Sequence, residues 1–162
     1  MTAGGKVIGR SGALDERKHV DPWSHFVNAF VIDKDGNRID RRNAQDIVVA
    51  LYNHQIPPGA GQAVHYRLSL PDDLSAPVTV DVKLQYRKFD GTYMDFIAKN
   101  RRPGDVPLRG HTPGKPYVNN LPITTLAHDR VTFPVAGVST KVTNSTPKID
   151  AWMRWNDYGI GL

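Results

Sequence analysis

The chain has 162 residues, a formal net charge of +5 and no cysteine. This length suits one domain, or one domain with a short appendage, and it is long enough to bury a core without disulfides. The lack of cysteine excludes disulfides, thiolate metal sites and covalent haem attachment through Cys-x-x-Cys-His. No apolar run approaches the roughly 20 residues that span a bilayer. The basic residues are scattered, so no nucleic-acid-binding stripe is predicted.

The first third of the chain has short apolar segments separated by turns. Residues 6–9 predict one short strand, and SHFVNAFVI at 24–32 is apolar on both faces, as in a strand at the centre of a sheet. Asp35-Gly36 is a typical two-residue hairpin turn. The segment RRNAQDIVVALYN at 41–53 predicts a turn or single helical turn followed by extended chain.

Two segments in the middle of the chain alternate between apolar and polar residues. They are AVHYRLSL at 63–70 and VTVDVKLQYR at 78–87. A period of two with one polar face is typical of antiparallel strands that pack on one side. The intervening PDDLSAP holds two prolines and an aspartate pair, and it is predicted as a loop.

A proline-rich loop follows these strands. Residues 101–122 hold five prolines and three glycines, and such a segment cannot form a continuous hydrogen-bonded strand. We expect it to wrap a surface or to reach a partner. Residues 123–126 and 130–135 then predict two further short strands.

The C-terminus changes to a helical pattern. Thr146 is predicted as the N-cap and Pro147 as the first residue of a helix. One face of this helix is formed by Ile149, Trp152, Met153 and Asn156. A helix with such a face needs something to pack on, and Trp152 is expected in a core or an interface.

These elements predict a mainly β fold. We expect an antiparallel β-sandwich, immunoglobulin-like or jelly-roll-like, of about seven strands with a C-terminal α-helix. The sandwich domain covers 1–143, including a long Pro/Gly-rich loop at 99–122. The helix covers 144–162, and it is a candidate start of a helical repeat region.

The segment YNHQIPPGAG at 52–61 holds the main candidate site. Tyr52, Asn53, His54 and Gln55 are four consecutive hydrogen-bonding side chains before Pro57-Pro58. A neutral imidazole on a proline-stiffened turn is a pre-positioned donor. The alternative interpretation is a strand entry in which these side chains only bond the backbone of the turn.

The sequence predicts no enzymatic activity. It contains no G-x-S-x-G, no cysteine nucleophile and no glycine-rich phosphate loop. No histidine pair has the spacing of a helical zinc site, so no metal site is predicted. His25 and His65 lie in predicted strands, where a structural role is expected.

Three sequence blocks carry a resemblance to a known family. They are HFVNAFVIDKDGNRIDRRNAQDIVVALYNHQIPPGAGQAVHYRL, YRKFDGTYM and WMRWNDYGIGL. The first two resemble a β-rich, non-haem domain of large bacterial multihaem c-type cytochromes. The third resembles the segment that opens a tetratricopeptide-type helical array in those proteins. The resemblance covers roughly residues 5–98 and 123–162, and it leaves the loop at 99–122 unplaced.

The resemblance implies a non-catalytic accessory module that positions or shields haems held elsewhere in an electron-transfer system. The haem-bearing segments of the family lie upstream, so the chain is expected to be a fragment or to receive its haem module from a second polypeptide. His54 is then a candidate haem contact or axial ligand to a partner's haem, with Tyr52, Asn53 and Gln55 beside it. The resemblance also implies a periplasmic location, although the chain as written starts without the apolar stretch of a signal peptide.

An open sheet edge is expected near Val7 because the resemblance suggests that earlier strands are missing. A partner chain or a second copy would close this edge. The expected interface residues are Val7, Ile8, Trp152, Met153 and Trp155. The alternative function is a free-standing β-sandwich that binds carbohydrate or peptide through its loops, with the basic residues of 101–122 in contact.

Overall fold

A computed structural model describes residues 1–161. Its strands are β1 Thr2–Ala3, β2 Lys6–Val7, β3 Ala29–Ile32, β4 Val49–Asn53, β5 Val78–Tyr86 and β6 Thr124–Phe133. Its α-helices are α1 Gly91–Lys99 and α2 Ala151–Gly161, and a 3-10 helix covers Ala44–Asp46. All strand pairs are antiparallel. The prediction of a mainly β, antiparallel fold is therefore confirmed.

The sandwich of about seven strands is not confirmed. The described residues form six strands in two open sheets, with the orders β2-β1-β5-β6 and β3-β4. The chain divides into two compact units. We call residues 1–11, 60–86 and 124–161 the ribbon unit, and residues 12–59 and 87–123 the hairpin–helix unit.

Strands β5 and β6 dominate the ribbon unit. They pair along their length from Val78 opposite Phe133 to Tyr86 opposite Thr124, with one irregularity after Leu84. The apolar face that the alternation predicted is buried at Val78, but Val82 is 60% exposed. The predicted alternation of apolar and polar residues is therefore present in β5, and the described residues leave most of its apolar face exposed.

Several predicted element boundaries in the ribbon unit are wrong. Residues 63–70 alternate as a strand would, yet they form no strand. The two strands expected at 123–126 and 130–135 are one continuous strand, β6, because β5 offers an unbroken partner. Helix α2 begins at Ala151, and its first bond joins Arg154 N–H to the Asp150 carbonyl.

The hairpin–helix unit pairs β3 with β4. Phe30 lies opposite Tyr52 and Val31 opposite Ala50, with a bulge between Phe30 and Val31. The strand predicted at 24–32 is shorter than expected and covers only Ala29–Ile32. The turn expected at Asp35-Gly36 is present, with Gly36 at a φ of +80° that favours glycine.

Helix α1 was not predicted, although its N-cap is conventional. The Asp90 carboxylate accepts a hydrogen bond from Tyr93 N–H at 2.7 Å. Met94 on this helix is buried. Gly91 lies against His19, and a Cβ at this position would lie 2.1 Å from His19 Cδ2. Glycine at the start of helix α1 therefore allows close contact with the segment that carries His19.

The proline-rich loop wraps the hairpin–helix unit, which is one of the two outcomes expected for it. Tyr117 is 3% exposed and Asn119 is 0% exposed. The Asn119 amide donates to the Phe89 carbonyl at 3.1 Å, and its backbone N–H donates to the Arg17 carbonyl at 3.0 Å. One buried asparagine thus joins three segments that are distant in sequence.

Replacement of Asn119 should destabilise this unit. Asn119→Ala leaves the half-buried Phe89 carbonyl without its partner, and we expect a loss of about 2 kcal/mol in the free energy of unfolding. Urea unfolding followed by the amide resonances of residues 87–123 measures this loss. Asn120→Ala is the matched control, since Asn120 bonds Val118 through its backbone N–H. Equal stability of the two variants would contradict the role given to Asn119.

A charged cluster on the ribbon should respond to acid. Arg130 first, and then His128, hydrogen-bond the Asp81 carboxylate and lower its pKa below the ordinary value. The contribution of Asp81 to stability is therefore full above the ordinary aspartate pKa and is lost as the pH falls through the lowered value. Arg130→Gln should raise the Asp81 pKa in an NMR titration of its carboxyl carbon. The control Arg154→Gln should leave it unchanged; a pKa unmoved by Arg130→Gln would refute the assignment.

Candidate functional site

His54 follows strand β4 at a turn that the backbone fixes. Its N–H donates to the Asn28 carbonyl at 2.8 Å. The Asn53 side-chain oxygen accepts a hydrogen bond from Gln55 N–H at 2.9 Å, which forms an Asx-turn. These two bonds fix the backbone at His54, just ahead of Pro57 and Pro58 in the sequence.

Four rings form a continuous stack on the β3–β4 pair, and we call it the aromatic ladder. Phe30 stacks on Tyr52 with centroids 5.1 Å apart, and Tyr52 stacks on His54 at 4.5 Å. His54 stacks in turn on His25 at 4.9 Å, with 24° between the planes. The guanidinium of Arg38 covers Phe30, with its carbon 4.9 Å from the ring centroid. The cross-strand pairing of Phe30 with Tyr52 generates the first contact of the ladder.

The ladder determines which part of the His54 ring is available to a ligand. Tyr52 and His25 both stack on this ring, with centroids 4.5 and 4.9 Å away. A histidine binds a metal through a nitrogen lone pair that lies in the ring plane. Stacking uses the face of a ring, so these contacts do not block a ligand that approaches half-buried His54 in its ring plane.

The same geometry works against chelation of one ion by His25 and His54 together. Their planes are nearly parallel, so their in-plane lone pairs do not converge on a common point. Among the described residues, no three histidine, aspartate or glutamate side chains lie close enough to hold a metal ion. The arrangement suits a single ligand contributed to a site whose other ligands come from elsewhere.

The structure brings together only part of the predicted site. Tyr52 and His54 belong to the ladder, whereas Asn53 forms the turn and Gln55 contributes its backbone N–H. His25 also belongs to the ladder, although its sequence position predicts only a structural role. Its partnership with His54 depends on the β3–β4 register, and no local spacing indicates it.

The residues predicted as an interface lie in the ribbon unit, and most are exposed. Val7 lies on β2, an edge strand of its sheet, and is 63% exposed, whereas Ile8 is half-buried. On α2, Trp152 is 68% and Trp155 is 72% exposed, and Met153 is also exposed. Trp155 makes an edge contact with Tyr158 at 6.1 Å.

Comparisons with known proteins give no family. No family model, no curated protein and no solved structure matches this chain. Within residues 1–161, no helix is long and apolar enough to cross a bilayer.

The ladder predicts a ring-current signature. The His54 ring protons should resonate upfield because Tyr52 and His25 both stack on the imidazole. Tyr52→Leu should move these signals downfield and lower the free energy of unfolding by about 1 kcal/mol, the usual value of one aromatic pair. The matched control is Tyr86→Leu in the ribbon unit. His54 signals that do not move in Tyr52→Leu would show that the stack is absent in solution.

Proposed function

We propose that this chain is a non-catalytic accessory module of a multihaem cytochrome electron-transfer system. In this proposal His54 contributes an axial imidazole to a haem that a partner polypeptide carries. The observation that supports it most directly is the stacking of the His54 ring on both Tyr52 and His25. The three sequence blocks that resemble such cytochromes supply the identity of the partner.

An imidazole that is already oriented suits metal ligation for a physical reason. His54 would contribute one ring nitrogen to the haem iron, and a free side chain would lose rotamer entropy to do so. The contacts with Tyr52 and His25 fix that orientation before binding. The chain has no cysteine, so any covalent haem attachment must belong to the partner.

The proposal also accounts for the exposed apolar surface of the chain. Strands β2 and β6 are sheet edges, and residues Val82, Leu84 and Tyr86 of β5 are exposed. Unpaired edges and apolar strand faces are suited to added strands from another chain.

We further infer that strands from the partner complete the sandwich of about seven strands that the sequence predicts. Helix α2 takes part in the same assembly. Its exposed tryptophans, Trp152 and Trp155, then pack against the helical array whose first segment the WMRWNDYGIGL block resembles. The module would position the haem-bearing chain and contribute one ligand to it, without a reaction of its own.

The test begins with the native complex, purified through this chain from its source. We expect a Soret band and a co-purifying polypeptide that stains for haem. A colourless preparation that contains only this chain would overturn the proposal. The result needs no assumption about His54.

The second step tests the ligand. His54→Ala should convert one low-spin haem of the complex to a high-spin form, which is visible as a shifted Soret band and a high-spin charge-transfer band. His65→Ala is the matched control, because His65 is exposed in the ribbon unit. Identical spectra for the two variants would contradict axial ligation by His54.

A further inference from the structure

A second site lies in the hairpin–helix unit, in a cavity of about 380 Å³. Helix α1 and the proline-rich loop form most of its wall, and the loop's contribution shows that 101–122 builds a concave surface. The lining residues are Arg17, Asp95, Ala98, Lys99, His111, Lys115, Pro116 and Tyr117. Pockets that bind small molecules start at about this volume, so the cavity suits a compact ligand.

The charges of this cavity do not cancel. Arg17 forms an ion pair with Asp95, so these two groups offset each other. Lys99 and Lys115 are exposed, and neither has an ion-pair partner among the described residues. The helix dipole places roughly half a negative charge at the C-terminal end of α1, near Lys99. The two lysine charges exceed this, so the cavity keeps a net positive charge.

The hydrogen-bonding groups of the cavity are also mainly donors. Arg101 can only donate, so its contact of 3.2 Å with His111 Nδ1 makes that nitrogen an acceptor. The ring proton of a neutral His111 is therefore on Nε2. The Tyr117 hydroxyl is already occupied, since it donates to the Arg109 carbonyl at 3.0 Å, and burial raises its pKa.

The other walls are apolar or already paired. Ala98, Pro116 and the Tyr117 ring present carbon surface. The Asp95 carboxylate faces Arg17, and His19 Nε2 lies 3.7 Å from its second oxygen. The only acid that lines the cavity is thus held by its own neighbours. What stays open to a ligand is the side chains of Lys99 and Lys115 beside a small apolar wall.

We propose that this cavity binds a small molecule with one anionic group, a carboxylate or a phosphate, attached to a compact apolar body. Lys99 and Lys115 bind the anionic group, and Ala98, Pro116 and the Tyr117 ring contact the apolar body. This site goes beyond the haem-contact function, because it uses none of the ladder residues. It applies to the chain whether or not a haem-bearing partner exists.

The test uses the full chain and three probes that share one ring. Benzoate and phenyl phosphate carry the two anionic groups, and benzyl alcohol is their uncharged control. In ¹H–¹⁵N NMR titrations we expect both anions, or one of them, to shift amides at 95–99 and 111–117. A response to phenyl phosphate alone assigns a phosphoryl ligand, and a response to benzoate alone assigns a carboxylate. Benzyl alcohol that shifts the same amides equally well, or anions that shift none, would overturn the proposal.

A pair of double variants tests the two lysines. Lys99→Gln with Lys115→Gln should weaken anion binding by about tenfold, since each removes a charged hydrogen-bond donor. Lys34→Gln with Lys148→Gln removes the same charge from exposed positions outside the cavity. Equal affinity of the two double variants would show that the long-range charge of the protein attracts the anion, which refutes the site. The titrations of the native chain decide the question even if a variant folds poorly.

Discussion

The buried carboxamide of Asn119 is the interaction on which the hairpin–helix unit depends. It lies in a loop that cannot form a strand, because five prolines interrupt residues 101–122. Its amide and its backbone N–H bond Phe89 and Arg17, which lie far apart in sequence. A polar group at 0% exposure would be costly without these bonds, and with them it specifies one arrangement of the loop. The cavity beside Tyr117 exists because the loop is fixed in this way.

The aromatic ladder has a different origin, in the register of one pair of strands. The bulge after Phe30 keeps that ring opposite Tyr52, and the turn at Asn53 continues the stack to His54. A shift of one residue would move every side chain of the strand to the other face and separate the rings. The Asn28 carbonyl, which accepts from His54 N–H, couples His54 to the segment that carries His25. Backbone hydrogen bonds thus help to orient this histidine.

The sequence predicts the parts of this molecule that depend on local chemistry. The alternation of 78–87 predicts β5, and the apolar face near the C-terminus predicts α2. The Asp35-Gly36 pair predicts the turn that follows β3. Helix α1 is hard to predict because its nine residues include glycine, threonine and tyrosine, which have low helix propensity. The main local indication of this helix is Asp90, its N-cap residue. His25 and the lysines of the cavity could not be found, since each depends on residues that only tertiary contacts bring together. Local patterns contain no information on such contacts.

Residues 63–70 have the sequence pattern of a strand but form none. Their alternation is as regular as that of β5, and their apolar residues Val64, Tyr66, Leu68 and Leu70 are exposed. On the side away from β6, β5 pairs with β1 only at Val78 and Thr79. Beyond Thr79, that edge of β5 has no neighbouring strand among the described residues of the ribbon unit. Period-two patterning is useful only when a sheet buries one face. In the proposed assembly, strands of the partner chain would pair with this edge and cover the apolar face of β5.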